Sequence, residues 1–497
     1  MSLYFVTGHD FSGLLRNRAF PDGHSLNKLM TFYGRSEELC QLREPNFRPH
    51  AQLIVVYGRR RVGKTALIEE AYTKEVLWKF EGLEAGSIKI QLKQFIEQLS
   101  EYSGDQNLRQ KKIGDWNAAF ALLYEKLKSK KVVVFLDEFQ WMVQMKPQAV
   151  SLFKYHWDNF FSKCKDCRFV LCGSVSSFIV KKILKSKALY GRVDTEINLQ
   201  PLKLTDIRAF LPERSGLEVL EFAMTFGGIP KYLLEINPRF SYLQNLNEYA
   251  FAQSGYFFQE FHRLFLSHFS KSPHYEKVIC SLVNKILSTE QLAVSCGASP
   301  GGTFSQVLED LSLAGFIQRD QPLDLPDRSK VVRYRLLDEY LNFYFSFIAQ
   351  NRQAIQKGQF QSHLMDRTKL AQWQGYAFER LCRRHSFEIA TFLRFSGIGY
   401  KSGSWFRSRN NGGRKSAQID LLFERQDRVL TLCEIKYVKN LSGQKVIRDL
   451  QNKIGVLQEY YPNYGIQKVL LLMEKIPVSN AVHQAFDEIL FAPEVFF

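Results

Sequence analysis

The sequence predicts an α/β protein built on a parallel sheet, followed by a helical segment, a helix-turn-helix with a β-hairpin, and a second α/β domain at the C-terminal end. Three observations lead there. Apolar runs at Leu53–Tyr57, Val132–Leu136 and Arg168–Cys172, with a weaker one at Glu196–Leu199, alternate with stretches of helical pattern. Strands without a polar face belong to a parallel sheet covered on both sides. Residues 58–65, Gly-Arg-Arg-Arg-Val-Gly-Lys-Thr, follow the first run directly and precede a helix over Ala66–Tyr72. A glycine-bearing loop thus sits where a strand hands over to a helix. Finally, 497 residues exceed what one core holds, and the strand–helix alternation stops near Pro201.

The loop has the chemistry of a phosphate cradle. Gly58 and Gly63 let the backbone turn its N–H groups inward, and Arg59, Arg60, Arg61 and Val62 carry the chain between them. Lys64 is placed to reach the β- and γ-phosphates, and the Thr65 hydroxyl to ligate Mg²⁺. The expected ligand is a nucleoside triphosphate. Where the strand Val132–Leu136 ends, Asp137 is expected to hold the metal and Glu138 to polarise an attacking water. Hydrolysis follows from the pair. Ser174, after the strand ending at Cys172, is a candidate sensor of the γ-phosphate. Arg192 is a candidate for stabilising transferred charge, from the same chain or from a second copy in a homo-oligomer, with a surface salt bridge as the alternative.

These residues together resemble the archaeal-type ATPase family of the AAA+/STAND-related P-loop NTPases. The resemblance rests on Phe-Tyr-Gly-Arg-Ser-Glu-Glu-Leu at 32–39, the loop at 58–65, Phe-Leu-Asp-Glu-Phe-Gln at 135–140, Leu-Cys-Gly-Ser at 171–174, Leu-Tyr-Gly-Arg at 189–192 and Gly-Gly-Ile-Pro-Lys-Tyr-Leu at 227–233. It implies ATP as the nucleotide, a helical lid, and a winged helix after the lid. It also implies that the Gly-Gly-Ile-Pro segment approaches the nucleotide from the lid side.

Composition narrows the class. Hydrophobic residues make up 45% and charged residues 24%, the balance of a globular protein. No apolar run approaches the roughly 20 residues of a membrane span, and Met1–Arg18 does not resemble a secretory leader. A cytoplasmic protein with no membrane partner is expected. Cys164 and Cys167 form a CxxC pair without nearby partners for zinc, so reduced thiols are expected, with Cys172 in the core.

The net charge of +17 calls for a polyanionic partner. Residues 350–497 hold 22 Lys and Arg against 13 Asp and Glu. Between Ile389 and Ile419, Arg394, Lys401, Arg407, Arg409, Arg414 and Lys415 interleave with Phe395, Tyr400, Trp405 and Phe406, and no acid intervenes. Cations beside aromatics suit the phosphates and bases of DNA, although a solvated basic loop fits the composition equally. By contrast, the second helix of the helix-turn-helix, Thr303–Ala314, has no Lys or Arg. It suits docking or structural support better than reading a DNA groove.

In the last domain, a helix over Trp373–Ser386, strands at Ala417–Phe423 and Val429–Lys436, a helix over Lys445–Glu459 and a strand at Lys468–Met473 are expected. Alternation puts Glu434 and Lys436 on one strand face, and hairpin pairing brings Asp420 beside them. Glu379, on the preceding helix, adds a carboxylate. Oxygen ligands of this kind suit Mg²⁺, with the ammonium orienting water. The set looks like the PD-(D/E)XK nuclease superfamily, with Asp420, Glu434 and Lys436 at the D and ExK positions and Glu379 at the helix glutamate. That resemblance implies a restriction-endonuclease-like fold. Gln418 stands where such domains often have an acid, and a degenerate fold kept for DNA binding or assembly is the alternative.

The expected division is therefore an extension over 1–30, a P-loop core over 31–201, a lid over 202–270, a winged helix over 271–350 and the nuclease-like domain over 351–497. The expected function is Mg²⁺-dependent ATP hydrolysis on or near DNA, with metal-dependent cleavage in the last domain. The alternative is an ATP-driven signalling or scaffold switch.

Overall fold

The computed structural model describes residues 32–44, 50–84, 86–128, 130–144, 147–174, 179–184, 189, 191–269, 274–321, 323, 325, 331–407 and 417–497. The expected extension at 1–30, Ser176, Tyr190 and the basic residues Arg409, Arg414 and Lys415 lie outside them. The chain forms two compact units that meet in sequence at Gln200 and Pro201.

The first unit is an α/β core. Its strands are β1 (Gln52–Tyr57), β2 (Leu77–Glu81), β3 (Val132–Asp137), β4 (Cys167–Gly173) and β5 (Thr195–Asn198). They pair in the order β2-β3-β4-β1-β5, every pair parallel. All six residues of β1 and of β3 are buried, which is why both read as unbroken apolar runs. The edge strand β2 alternates buried residues with half-buried or exposed ones, so no unbroken apolar run marks it in the sequence. With parallel strands, the loops after β1, β3 and β4 open at one end of the sheet, the carboxyl crevice where such folds bind ligands.

The second unit opens with five helices, Leu204–Phe210, Gly216–Phe226, Pro230–Leu234, Tyr242–Tyr249 and Tyr256–Phe269. Gly227, at φ 67°, ends one of them and Pro230 starts the next. Helices His274–Ser281, Thr289–Cys296 and Gly302–Leu313 then pack with a small antiparallel sheet of β6 (Ile286–Ser288), β7 (Ile317–Asp320) and β8 (Arg333–Leu336), ordered β6-β8-β7. The first of these helices stops at Ser281. Asn284 adopts a left-handed backbone, φ 52°, and β6 follows it.

A mixed sheet closes the unit, ordered β13-β12-β11-β10-β9. Its strands are β9 (Tyr400–Arg407), β10 (Ala417–Arg425), β11 (Val429–Lys436), β12 (Gly465–Leu472) and β13 (Glu488–Phe491). β9, β10 and β11 are antiparallel, whereas β11, β12 and β13 are parallel. The helix Gly443–Tyr460 makes the crossover that parallel pairing of β11 and β12 requires. Period-two alternation gives the sheet two cores. Leu421, Phe423, Cys433 and Ile435 join Trp373, Ala377, Phe378 and Leu381 of the helix Arg367–Arg384. Leu422, Leu430, Leu432 and Leu470 join Val446, Leu450 and Leu457 of the crossover helix.

One expectation is corrected here. Much of the segment read as a basic loop is the strand β9, and Phe395, Trp405 and Phe406 are core residues. Buried rings are not free to stack on bases. Alternating small polar residues and Gly403 in Tyr-Lys-Ser-Gly-Ser-Trp-Phe-Arg disguised an edge strand as a loop.

Glu221, on the helix Gly216–Phe226, gives the second unit a pH dependence. Burial first, then the charges of Glu218 and Glu474, push its carboxyl up to about 7, with Lys439 opposing. A carboxyl near 4.3 when unfolded then binds more protons in the folded chain, so stability falls as pH rises from about 4.3 to 7. Glu221→Gln is expected to raise the melting temperature at pH 8 and to leave it nearly unchanged at pH 4, as followed by differential scanning fluorimetry.

Candidate nucleotide site and C-terminal charge cluster

The loop after β1 is shaped by backbone that only some residues tolerate. Gly58 sits at φ 149°, and a Cβ there would lie 2.5 Å from the Leu199 carbonyl oxygen. Arg61 and Gly63 also have positive φ, 70° and 92°. The helix Lys64–Ala71 starts immediately after, so its first N–H groups face the loop. Lys64 is buried and donates to the carbonyls of Gly58 and Arg59, at 3.1 and 3.0 Å. Arg60 pairs with Glu84 at 2.7 Å.

The loop is joined to β3 by one bond. Thr65 Oγ1 donates to Asp137 Oδ2 at 2.9 Å, and Asp137 is only 4% exposed. Lys79 on β2 lies 3.7 Å from Asp137 and 3.0 Å from Glu69. Burial works against the Lys79 charge, but the carboxylates of Asp137, Glu69 and Glu81 outweigh it and hold the ammonium above its ordinary range.

Glu138 follows at φ 47°, an uncommon backbone for a glutamate and a place where strain is stored. Its carboxylate accepts from the Ser174 hydroxyl at 2.8 Å and from the Gln140 amide. Gln140 also donates to Ser174 at 3.2 Å, and both residues are buried. Gly82 permits the approach of β2, since a Cβ there would meet the Glu138 carbonyl oxygen at 2.5 Å.

The structure therefore gathers Gly58, Lys64, Thr65, Asp137, Glu138 and Ser174 into one continuous set of contacts and shared strand ends. Arg192 is held elsewhere, by two bonds to Asp158 at 2.6 and 3.0 Å, and Lys154 reaches the same carboxylate. The sequence reading did not assign Lys79 or Gln140. The first lay on the overlooked strand, and the second was the last letter of a motif used only for its two acids. The residues fit ATP and Mg²⁺: a loop of turned backbone and a buried ammonium suit phosphate, and a hydroxyl and a carboxylate oxygen 2.9 Å apart are hard ligands for the cation.

The C-terminal cluster is built differently. The β10–β11 register pairs Leu421 with Cys433, so Asp420 and Glu434 come next along the ladder. The pairing of β10 with β9 shifts between Ile419 and Leu422, so Asp420 sits at a bulge, a device that re-aims side chains. Glu434 is 1% exposed, and its two oxygens lie 2.6 Å from Lys436 and 2.6 Å from Lys453. Burial raises the Glu434 carboxyl, yet Lys453 and Lys436 together bring it below the ordinary carboxylate range. Burial, and next the charge of Asp420, push Glu379 up to about 7, while Arg383 lies 3.7 Å from it. Lys453, on the crossover helix, was not foreseen.

Glu379, Asp420, Glu434 and Lys436 are thus neighbours in charge. Among the described residues, no three His, Cys, Asp or Glu side chains form a group that could hold a metal ion. With both oxygens on ammonium groups, Glu434 fits an ion-pair network better than a metal shell.

Comparison with known proteins places the first site in a class. Residues 32–236 match a family described as an ATPase domain predominantly from Archaea, and residues 344–448 match one described as archaeal and bacterial proteins of unknown function. The first match spans the loop after β1, the Asp137–Glu138 pair and Ser174, so this part of the chain is similar to archaeal P-loop ATPase domains. An uncharacterised protein of Methanocaldococcus jannaschii is 26% identical over 445 residues, covering 88% of this chain and 95% of the relative. Among solved structures, a Walker-type ATPase of Pyrococcus abyssi is 18% identical and covers 63% of this chain and 96% of its own, with a TM-score of 0.46. The ORC2 protein of Aeropyrum pernix, in its ADPNP–ADP complexes, is 13% identical and covers 64% and 95%, with a TM-score of 0.40. No described helix is long and apolar enough to cross a membrane.

Gly58→Ala is expected to weaken nucleotide binding at least tenfold, because the added methyl must displace the Leu199 carbonyl that backs the loop. Titration with a fluorescent ATP analogue checks this.

Proposed function

We propose that this chain is a Mg²⁺-dependent ATPase that works on DNA. The observation that carries the reading is the convergence of Lys64, Thr65, Asp137, Glu138 and Ser174 at the carboxyl edge of one parallel sheet. Lys64 and the loop N–H groups bind the phosphates, and Thr65 and Asp137 hold the cation. When bound, the cation neutralises charge that develops on the phosphate oxygens. Glu138 is the group that orients and takes a proton from water, and Ser174 with Gln140 fixes its carboxylate for that task. Arg192 enters this scheme only in a homo-oligomer that releases it from Asp158.

In this reading the segment around β6, β7 and β8 is a winged helix, and its helix Gly302–Leu313, bare of Lys and Arg, docks a partner. In the same reading the last domain is nuclease-like, with β10, β11 and the crossover helix as its core. The clamp of Lys436 and Lys453 on Glu434 favours binding of nucleic acid over cutting. The charge supports DNA as the partner, at +17 overall and 22 basic against 13 acidic residues after 350.

Lys64→Ala is expected to abolish steady-state ATP turnover. Glu138→Gln is expected to keep ATP binding while lowering kcat by about 100-fold or more. Wild-type turnover in either variant overturns the assignment. Addition of DNA is expected to stimulate the wild type, whereas indifference to DNA favours the switch reading. With plasmid DNA and Mg²⁺ or Mn²⁺, no cleavage is expected. Cleavage that disappears in Asp420→Ala/Glu434→Ala would make the last domain a working nuclease.

A further inference from the structure

A cavity of about 280 Å³ lies inside the second unit, between the small sheet and the helix Arg367–Arg384. Lys285, Arg333, Arg335, Arg380 and Arg383 line it, with Glu379 as the one lining carboxylate among the described residues. These cations come from β8, from the turn before β6 and from the long helix, so tertiary folding alone brings them together. Asp320, Glu339 and Glu379 each face one of these five cations, so positive charge is still in excess around the space and attracts an anion.

Two of the arginines are built into the wall. Arg335 is 3% exposed; its Nε bonds Asp320 and one Nη donates to Ser404 at 2.9 Å. Its other terminal nitrogen, Nη1, is buried without a hydrogen-bond partner. Arg380 is 6% exposed, and its Nε donates to Glu339 at 2.9 Å while Nη2 has no partner. Each guanidinium is thus anchored by an acid and fixed in the wall of the cavity. Arginine forks in a partly dry pocket suit phosphate better than a halide or a lone carboxylate.

We infer that this cavity is a phosphate-binding site that seats one phosphodiester group of a nucleic-acid strand. The inference rests on the DNA reading above and gives it an address other than the basic loop. Glu379 lines the same cavity and is close enough to Asp420 for the two charges to repel. A strand seated on the arginines therefore passes beside that acidic cluster.

Fluorescence anisotropy of the full-length chain with a labelled single-stranded oligonucleotide, over a series of salt concentrations, tests it. Lys285→Gln/Arg383→Gln is expected to weaken binding at least tenfold and to flatten the slope of log Kd against log salt by about 0.7, the worth of one phosphate contact on a single strand. Because Arg335→Gln alone strands Asp320, the second variant is Asp320→Asn/Arg335→Gln, expected to weaken binding with a melting temperature within a few degrees of wild type. A wild type that does not bind the oligonucleotide overturns the DNA reading and the site together. Wild-type binding that both variants retain overturns the site alone. Thermal stabilisation by inorganic phosphate that the variants lose, with oligonucleotide binding intact, shows a small-anion site and also overturns it.

Discussion

The bond from Thr65 to Asp137 is the constraint on which the ATPase unit depends. It ties the first turn of the phosphate-loop helix to the end of β3, across the width of β4. Everything else at the site is placed by that span. The parallel order sets the ends of β1, β4 and β3 side by side, so the loop, Ser174 and the Asp137–Glu138 pair open on one crevice. Close backbone approaches at Gly58 and Gly82 let the neighbouring segments come near enough. The left-handed Glu138 is the local cost of turning a carboxylate toward Ser174.

Two ways of handling buried acid are visible in the one chain. Asp137 is balanced by a hydroxyl and by a lysine 3.7 Å away, which leaves oxygen lone pairs for a cation. Glu434 has an ammonium on each oxygen at 2.6 Å. The first arrangement is open to a metal and the second is already neutralised. Similar residue types in similar strand positions thus predispose the two domains to different chemistry. The arginine-lined cavity has the opposite imbalance, with cations in excess of the acids that hold them.

That Lys64, Thr65, Asp137, Glu138 and Ser174 lie together was legible in the sequence because their signals are local. A buried parallel strand reads as an apolar run, and the loop and the two acids each follow such a run directly. Lys79 was not legible, since β2 is an edge strand whose alternation of Leu77, Lys79 and Glu81 with Trp78 and Phe80 resembles an amphipathic stretch of no fixed type. Lys453 could not be seen because a crossover helix delivers it from 19 residues beyond its partner Glu434. The aromatics near β9 misled for a related reason: Trp405 and Phe395 are spaced among cations by strand alternation and helix ends, and composition does not say which side of a strand is wet. The arginine cavity joins segments about 50 to 100 residues apart, so only the folded chain displays it.

The central claim is that Thr65 and Asp137 together form the cation-binding half of an ATP site. Isothermal titration calorimetry of ATP, with and without Mg²⁺, on the wild type and on Thr65→Ala tests it most directly. The account predicts that Mg²⁺ tightens ATP binding at least tenfold in the wild type and that most of this gain vanishes in Thr65→Ala, while metal-free ATP binds both equally. An equal Mg²⁺ gain in the two proteins would contradict it.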